Sequence, residues 1–453
     1  MFIILGAGLS GLSVAKHFQD GNIPFKLYES KAHGGGHIYS EVVDGFTWDE
    51  GPHVSFTKYD YVKKFFAQNV HDKFLEYPTK PTNYHGGNWI PHPAQSNLYA
   101  VPEDLRSACI KDILEIRKIR PSDVITKNYQ EWLTYAFGGT FSEVFPKVYT
   151  KKYWTTEPQN LTTDWIGNRI FFPEPEDMVR SADGPLDKET HYITKVRYPE
   201  TGGYYSYIKP IENQVPIQYN KEVRYISFNK KEVHFSDGEK VNFERLVSSI
   251  PLPLLIKNSD APADVKQDAC RLKCSKVLII NVVADHSAVI DNQWLYVYDE
   301  EMYSTRINFT ELLAPSNGVS GKTGIQVEVY FSEYKPLTES IEMIEKEVLR
   351  ELVRMKLIKA EKNIESYHSR WIEWANVIFD HEKRDALDKV LGWLESNGLV
   401  REEDDLEPMT DWDSKQVKPL GSIILAGRFA QWKYYWTDDC VMRGLHIGRS
   451  VIK

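Results

Sequence analysis

The stretch MFIILGAGLSGLSVAKHFQDGNIPFKLYES, residues 1–30, decides the fold of this chain. An apolar strand from Phe2 to Leu5 leads into a glycine-rich turn from Gly6 to Gly11. An amphipathic helix then runs to about Asp20, and a second strand spans Phe25 to Tyr28. Strand, Gly-x-Gly-x-x-Gly, helix and strand in this order predict a βαβ unit that binds a dinucleotide.

The three glycines and the acid after the second strand have separate expected roles. Gly6 permits the tight turn, Gly8 lets a pyrophosphate approach the helix N-terminus, and Gly11 allows close helix packing. Glu29 follows the second strand and is expected to accept hydrogen bonds from the adenosine ribose. Its charge disfavours a 2′-phosphate, which argues against NADP.

A second glycine-rich turn follows Glu29 at once. It contains Gly35, Gly36 and His37 and precedes the segment DGFTWDEGPH, which ends at His53. Two such turns suit a long dinucleotide that extends deep into the protein. We therefore expect FAD rather than NAD, with contacts from both turns.

Length and charge limit the remaining classes. At 453 residues the chain exceeds the roughly 250 to 300 residues at which one core stops growing, so two or three lobes are expected. A net charge of −9 argues against binding to nucleic acid or to an anionic membrane surface. An aromatic content of 13% is enough to line a deep pocket.

Localisation and metal content follow from simple counts. No stretch reaches the roughly 18 apolar residues of a membrane span, and a strand at Phe2 leaves no room for a signal peptide, so a cytoplasmic protein is expected. Four cysteines suit a reducing compartment. Cys270 and Cys274 lack a second ligand pair nearby, so no metal is expected.

The fold class expected is α/β, with a discontinuous Rossmann-type FAD-binding domain, an inserted helical lobe and a mixed β-sheet substrate domain. The expected boundaries are 1–85, 205–250 and 405–453 for the FAD-binding domain, 86–204 for the substrate or lid lobe, and 251–404 for the substrate domain.

Several segments support this division. VRYISF, EVHFS and RLVSSI, between Val223 and Ile250, are expected to return to the cofactor sheet. KVLIINVVA and GIQVEVYF predict strands of the substrate domain, and a helix is expected from about Ser340 to Met355. The charged run REEDDLE, residues 401–407, is most simply a solvated loop.

The sequence resembles the amine oxidase and protoporphyrinogen oxidase superfamily of flavoproteins, and within it the UDP-galactopyranose mutase-like proteins. The motifs that carry the resemblance, besides the two glycine-rich turns and DEGPH, are KVYTKKYWTTEPQNL (147–161), YPETGGY (198–204), YSTRINFTE (303–311), QVEVYFSE (326–333) and GRFAQWKYYWTDD (427–439). Two departures are that YWTD replaces the usual YDMD-like ending and that His37 stands where amine oxidases often carry arginine.

The resemblance and the residues together give the candidate site. The expected catalytic residues are His53, Arg306 and Tyr434. The expected FAD contacts are Gly6, Gly8, Gly11, Glu29, Gly35, Gly36, His37, Val223, Gly427, Arg428 and Asp438. The expected substrate contacts are Tyr149, Trp154, Arg169, Tyr204, Arg306 and Tyr434.

Arg306 receives the most specific role. Strand alternation is expected to place it on one face with Ser304 and Asn308, where a fixed guanidinium can grip a diphosphate bidentately. His53 is expected beside the flavin ring, and Asp438 is expected to begin a helix whose first amides reach the flavin.

The first functional hypothesis is a UDP-galactopyranose mutase-like enzyme of surface polysaccharide precursor synthesis. The resemblance implies that reduced FAD attacks the anomeric carbon of a nucleotide-diphosphate sugar, that arginines hold the departing UDP, and that the sugar recloses with the other ring size. NAD(P)H is a candidate reductant. The alternatives are an FAD-dependent oxidoreductase and a flavin-binding protein without activity. The sugar, the nucleobase, the electron acceptor and the oligomeric state stay open.

Overall fold

The structure is a computed structural model that describes residues 1–118, 126–167, 169–186 and 193–451. Its strands are β1 Phe2–Leu5, β2 Phe25–Tyr28, β3 Ser40–Val43, β4 Phe46–Asp49, β5 Phe74–Pro78, β6 Thr82–His85, β7 Asn88–Pro91, β8 Lys195–Pro199, β9 Ile217–Gln218, β10 Val223–Ser227, β11 Glu232–Phe235, β12 Lys240–Asn242, β13 Arg245–Ser248, β14 Cys274–Ala284, β15 Trp294–Val297, β16 Arg306–Phe309, β17 Thr323–Phe331, β18 Ile364–Val377 and β19 Ile423–Leu425. Its α-helices are α1 Leu9–Asp20, α2 Asp60–Asn69, α3 Glu103–Ile116, α4 Tyr129–Phe137, α5 Gly139–Val144, α6 Pro146–Tyr153, α7 Pro175–Arg180, α8 Lys209–Gln214, α9 Leu252–Lys257, α10 Ala263–Cys270, α11 Thr310–Leu313, α12 Ile341–Arg354, α13 Lys383–Ser396 and α14 Thr437–Val451.

A parallel sheet with the strand order β19, β13, β1, β2, β9 forms the expected Rossmann-type unit. All four residues of β1 are buried, as an apolar central strand should be. Helix α14 lies against α1, where a Cβ on Gly444 would come within 2.1 Å of Ser13 Oγ, so only glycine allows this approach. The sheet therefore joins residues from the beginning, the middle and the end of the chain.

The predicted return of three strand-like segments to this sheet is wrong for two of them. Only β13 joins the parallel sheet, whereas β10 and β11 pair with each other and with β12 in a separate antiparallel sheet. The reason is the connection between them: a short turn brings consecutive strands together antiparallel, and a parallel neighbour needs a long crossover.

The second large sheet has seven strands in the order β18, β14, β17, β16, β15, β6, β7. The predicted strands within residues 276–284 and 324–331 pair antiparallel along their length as β14 and β17. The predicted helix corresponds to α12, whose buried Ile344, Val348 and Leu352 pack against this sheet.

The expected domain boundary at residues 85 and 86 falls inside the β6–β7 hairpin, which belongs to the seven-stranded sheet. Gly86 and Gly87 form its turn, both with positive φ, at 55° and 81°. A two-residue turn of this kind holds its two strands together, so the hairpin enters one sheet as a unit. Residues 82–91 therefore lie with the substrate domain and not with the cofactor domain.

Between this hairpin and β8, the described residues contain the helices α3 to α7, where a helical lobe was expected. No helix among the described residues has the length and apolar character required to cross a bilayer.

The charged run at residues 401–407 is not a solvated loop. Glu402 accepts from Arg443 of α14 at 2.6 Å, and Asp404 lies 2.7 Å from Lys433, whose side chain is 1% exposed. Buried cations need paired anions, and this run supplies them.

Candidate active site

One cavity of about 900 Å³ contains most of the predicted site residues. It opens at the carboxyl ends of the parallel strands, where Leu5, Tyr28, Ser249 and Ala426 line it, and it extends to the seven-stranded sheet and the helical lobe. Ligands of open α/β sheets bind at this edge. The βαβ unit therefore places a long ligand directly toward the second sheet.

The glycine-rich end of the cavity fits a pyrophosphate. A Cβ on Gly8 would meet only Gly36 Cα, at 3.8 Å, so the space above Gly8 is open to a ligand. A Cβ on Gly11 would lie 1.9 Å from the carbonyl oxygen of Gly6. Gly8 thus faces the cavity, and Gly11 serves the packing of α1 against the turn.

Glu29 is buried and partly engaged by the backbone. Its Oε2 accepts from the amide of Ala7 at 2.7 Å, and its Oε1 accepts from the amide of Lys31 at 2.9 Å. The carboxylate is therefore fixed in orientation at the cavity wall, as a ribose acceptor should be. Val223 lines the same end.

His53 lies in the middle of the cavity with a defined tautomer. Its Nδ1 is 2.8 Å from the carbonyl oxygen of Gly51, so Nδ1 carries the proton and Nε2 is left as an acceptor. Burial lowers the pKa of His53 to about 4, and His37, Arg306 and Arg428 nearby act in the same direction. The imidazole is neutral at physiological pH.

This pKa shift predicts acid destabilisation. Because the folded-state pKa is lower than the ordinary value near 6.5, the unfolded chain takes up the proton first as the pH falls from about 6.5 to about 4. Stability is expected to fall across that window by up to about 1.4 kcal/mol per pH unit from this group. Urea unfolding of wild type and His53→Asn between pH 7.5 and 5 measures the difference.

The control for this titration is His71→Asn. His71 is exposed, and its φ of 50° is one that asparagine tolerates. The free energy of unfolding of this variant should change with pH as that of wild type does. The free energy of unfolding of His53→Asn should fall less on the acid side. Parallel curves for wild type and His53→Asn would show that His53 does not titrate in this window.

Arg306 lines the cavity but is not a free guanidinium. It donates from Nε to Glu328 Oε2 at 2.6 Å and from Nη2 to Glu328 Oε1 at 2.8 Å, across the register between β16 and β17. Burial opposes its charge, yet the Glu328 carboxylate raises the pKa of Arg306 well above its usual value. Nη1 and the second hydrogen of Nη2 form the edge that Glu328 does not engage.

The predicted polar row around Arg306 is correct for Asn308 and wrong for Ser304. Asn308 lies two residues along β16 and faces Gln326 in the register, as Arg306 faces Glu328. Ser304 precedes the strand and donates to Glu351 of α12, the helix on the other side of the sheet.

Arg169 is stacked between two aromatic rings. Its guanidinium carbon lies 4.3 Å from the ring centre of Tyr434 and 4.4 Å from that of Trp436, and Nη2 donates to the carbonyl oxygen of Tyr434 at 2.8 Å. Arg428 lies 5.5 Å from the same Tyr434 ring. The C-terminal motif thus brings two arginines to one aromatic side chain.

A group of aromatic side chains forms the wall opposite the glycine-rich turn. Tyr149 stacks on Tyr153 at 5.5 Å and meets Tyr296 edge-on at 5.4 Å. Burial raises the pKa of Tyr149 well above 10, so the phenol stays protonated and can donate. The aromatic lining residues here are Tyr149, Tyr153, Trp154, Trp165, Trp294, Tyr296, Tyr298, Tyr330, Tyr434 and Trp436.

Three predicted site residues do not line the cavity. Gly11 lies behind the turn, and Tyr204 is fully buried behind His53, with its hydroxyl 2.9 Å from Thr437 Oγ1. Asp438 is buried in the first turn of α14, which begins at Thr437, and there Thr437 and Cys440 are the lining residues. The other predicted residues are brought together: Gly6, Gly8, Glu29, Gly35, Gly36, His37, His53, Tyr149, Trp154, Arg169, Val223, Arg306, Gly427, Arg428 and Tyr434.

Sequence reasoning missed Glu328. The sequence contains a pattern that points to Glu328. In QVEVYF, Gln326, Glu328 and Tyr330 alternate with apolar residues and so share one face of β17. An acid on a strand buried along its whole length needs a partner, and Arg306 is that partner. Among the described residues no group of histidine, cysteine and acidic side chains is arranged to hold a metal ion.

Comparison with known proteins identifies one matching family and several solved structures with a similar fold. A family model described as flavin containing amine oxidoreductase matches residues 9–452. A crystal structure of reduced UDP-galactopyranose mutase is similar over 100% of this chain and 95% of its own, with a TM-score of 0.88 and 22% identity. A protein assigned as a protoporphyrinogen oxidase from Exiguobacterium sp. 255-15 is similar over 100% of this chain and 98% of its own, with a TM-score of 0.74 and 16% identity. Wild-type putrescine oxidase bound to putrescine is similar over 100% and 98% of the two chains, with a TM-score of 0.61 and 14% identity.

Proposed function

This chain belongs to the flavin-containing amine oxidoreductase family, and on that premise we propose that it interconverts the pyranose and furanose forms of a nucleotide-diphosphate sugar. The chain is a flavoenzyme, and FAD is its cofactor. The likeness to UDP-galactopyranose mutase at 22% identity shows the shared fold, so the substrate and the reaction are the proposal.

The residues present fit FAD. The glycine-rich turns leave open space above Gly8, the fixed carboxylate of Glu29 suits a ribose, and the wall between them is formed by Gly35, Gly36 and His37. When bound, FAD supplies the electron-pair chemistry at the substrate carbon.

The observation that carries the substrate class is the presence of Arg169 and Arg306 in one aromatic-lined cavity, in addition to Arg428 of the expected FAD site. A diphosphate brought into such a site needs fixed cations, since an unpaired buried charge costs several kcal/mol. A protonated amine would instead be repelled by the same arginines. The tyrosines add neutral donors and flat faces, which suit sugar hydroxyls and a nucleobase.

The chain's own residues then have assignable tasks under this proposal. Arg306 and Arg169 hold the diphosphate, and Tyr149, Trp154 and Tyr434 contact the nucleotide and the sugar. His53, neutral and with Nε2 available, sits where it can accept a hydrogen bond in the middle of the cavity. The aromatic wall excludes water from the reacting carbon.

The second candidate function is an oxidoreductase that removes hydride from an amine or a sugar carbon. One observation favours it: Glu328 places a carboxylate among the tyrosines, where it can attract a cationic amine. Arg306 already occupies that carboxylate through two hydrogen bonds, so an amine would have to displace a buried ion pair.

The decisive experiment measures whether turnover consumes electrons. We expect activity on UDP-galactopyranose, or on another UDP-hexose, only after reduction by dithionite or NADPH. Under anaerobic conditions the enzyme should turn over many substrate molecules without stoichiometric loss of reductant. The ratio of product formed to reductant oxidised is the readout.

Two results would contradict the ring-interconversion proposal. One is oxygen uptake that depends on an amine or a sugar substrate. The other is reduction of the flavin by such a substrate with a stoichiometry of one per enzyme. Either would establish the oxidoreductase reaction in its place.

A further inference from the structure

The acidic segment, defined here as residues 402–412, packs behind the turn that carries Tyr434. This turn, residues 433–436, presents Tyr434, Tyr435 and Trp436 to the cavity, whereas Lys433 points into the protein and is 1% exposed. The acidic segment does not itself line the cavity. Its contacts with the turn are therefore made from the side away from the ligand.

Five contacts join the acidic segment to the turn. Lys433 Nζ lies 2.7 Å from Asp404 Oδ2 and also donates to the Asp404 carbonyl oxygen and to Thr410 Oγ1. The amide of Tyr434 donates to the Pro408 carbonyl oxygen at 2.7 Å. The hydroxyl of Tyr435 lies 2.6 Å from Thr410 Oγ1. Backbone and side chains of the turn are both fixed by the segment.

The acidic segment also reaches Arg169. The Met409 thioether contacts the Arg169 guanidinium, whose flat face lies 4.3 Å from the Tyr434 ring. Arg169 and Tyr434 are thus held by neighbouring residues of one segment, Pro408 and Met409. A shift of this segment would move both groups together.

The segment has its own anchor on the cofactor domain. Glu402 lies 2.6 Å from Arg443 Nη2, and Arg443 donates from Nε to the Leu425 carbonyl oxygen at 3.0 Å. Leu425 ends β19, two residues before Gly427 of the Gly427–Arg428 element. The segment therefore connects the parallel sheet to the Tyr434 side of the cavity.

We propose that Asp404 and Lys433 are positioning residues, whose buried ion pair fixes the Tyr434 ring and the stacked Arg169 guanidinium in the geometry that binds the ligand's diphosphate. The inference rests on the proposed function for the identity of the ligand. Neither residue touches the ligand; both act through Tyr434 and Arg169. A buried lysine with its anion on a different chain segment is a rigid connection, because breaking it leaves an uncompensated charge.

The test uses the FAD-loaded full chain and UDP as the probe. Asp404→Asn breaks the ion pair, and Asp404→Asn with Lys433→Met removes both charges, so that Lys433 is not left buried and unpaired. Lys415, the other lysine that pairs with Asp404, keeps Glu402 as a partner at 3.1 Å. We expect the Kd of UDP to rise about tenfold to a hundredfold in both, a size within the range of coupling energies between residues of one hydrogen-bonded network. KM should rise with it, kcat should change less, and bound FAD per chain should stay unchanged.

The matched control is Glu403→Gln. Glu403 lies in the same segment, but its side chain is 84% exposed and pairs with an exposed lysine, Lys418. This variant should bind UDP as wild type does. Loss of UDP binding in Glu403→Gln equal to that in Asp404→Asn would overturn the specific role of the Asp404–Lys433 pair.

A double-mutant cycle separates positioning from general stability. In a background that carries both Tyr434→Ala and Arg169→Ala, the Asp404→Asn, Lys433→Met double substitution should raise the Kd of UDP by less than about twofold, because the two groups that the pair positions are already gone. A full additional loss in that background overturns the inference, as does a folded double variant that binds UDP like wild type. If wild type itself does not bind UDP, the proposed function fails, and the ligand role of the pair fails with it.

Discussion

Replacing Gly8 by tryptophan is expected to give a folded protein that retains almost no flavin. The space above Gly8 is open, since an added Cβ meets only Gly36 Cα at 3.8 Å, and Gly8 has an extended conformation with φ of −70°. The backbone therefore accepts a side chain, while an indole fills the position of the pyrophosphate. The measurement is flavin absorbance per chain after purification, with circular dichroism as the check on folding.

Two further glycine variants make this result specific. Gly392→Trp places the same bulk on α13, where an added Cβ meets no atom within 4 Å, and it should stay yellow. Gly11→Ala should instead lower stability, because its Cβ would lie 1.9 Å from the Gly6 carbonyl oxygen. A Gly8→Trp protein with one flavin per chain would show that the pyrophosphate lies elsewhere.

Removing the Arg306 side chain is expected to weaken UDP binding by about 2 to 5 kcal/mol, or about 30-fold to several thousand-fold, while flavin content stays intact. The reason is the loss of a fixed cation in a buried site, where the net negative charge of the chain gives no compensating attraction. Titration of UDP against wild type and Arg306→Ala, followed by tryptophan fluorescence, measures the loss.

The Arg306–Glu328 ion pair provides a control variant with the opposite expected effect on UDP affinity. Glu328→Gln keeps the guanidinium and removes the negative charge that Arg306 now faces at 2.6 Å, so UDP should bind at least as tightly as in wild type. Arg306→Ala combined with Glu328→Gln avoids leaving a buried carboxylate unpaired and should still bind weakly. Equal UDP affinity in wild type and Arg306→Ala would remove Arg306 from the diphosphate site and favour the oxidoreductase function.

Local patterns predicted the first βαβ unit of the molecule well. The observed bounds of β1 and β2 are those expected, because a short apolar strand between a glycine-rich turn and an acid leaves few alternatives. The long strands β14 and β17 were also visible as apolar runs. In these segments the local sequence and the tertiary environment favour the same structure.

The predictions that were wrong or missing concern contacts between residues that are far apart in the sequence. The pairing of Arg306 with Glu328 joins two strands, and the buried Lys433 is paired with Asp404, 29 residues away. A charged run looks the same in sequence whether water or a buried lysine neutralises it. Tyr204 and Asp438 were expected at the site because they belong to matching motifs, and only the packing shows that they lie behind it.

The parallel sheet of the cofactor domain takes its strands from the first 30 residues, from residues 217–248 and from residues 423–425. During synthesis on the ribosome, the first glycine-rich turn emerges long before β19 and α14, which complete the wall beside it. We therefore expect flavin capture to follow translation of nearly the whole described chain. Pairing elements so far apart in sequence also slows folding, so the nascent protein spends that interval with an open apolar sheet edge that chaperones can protect.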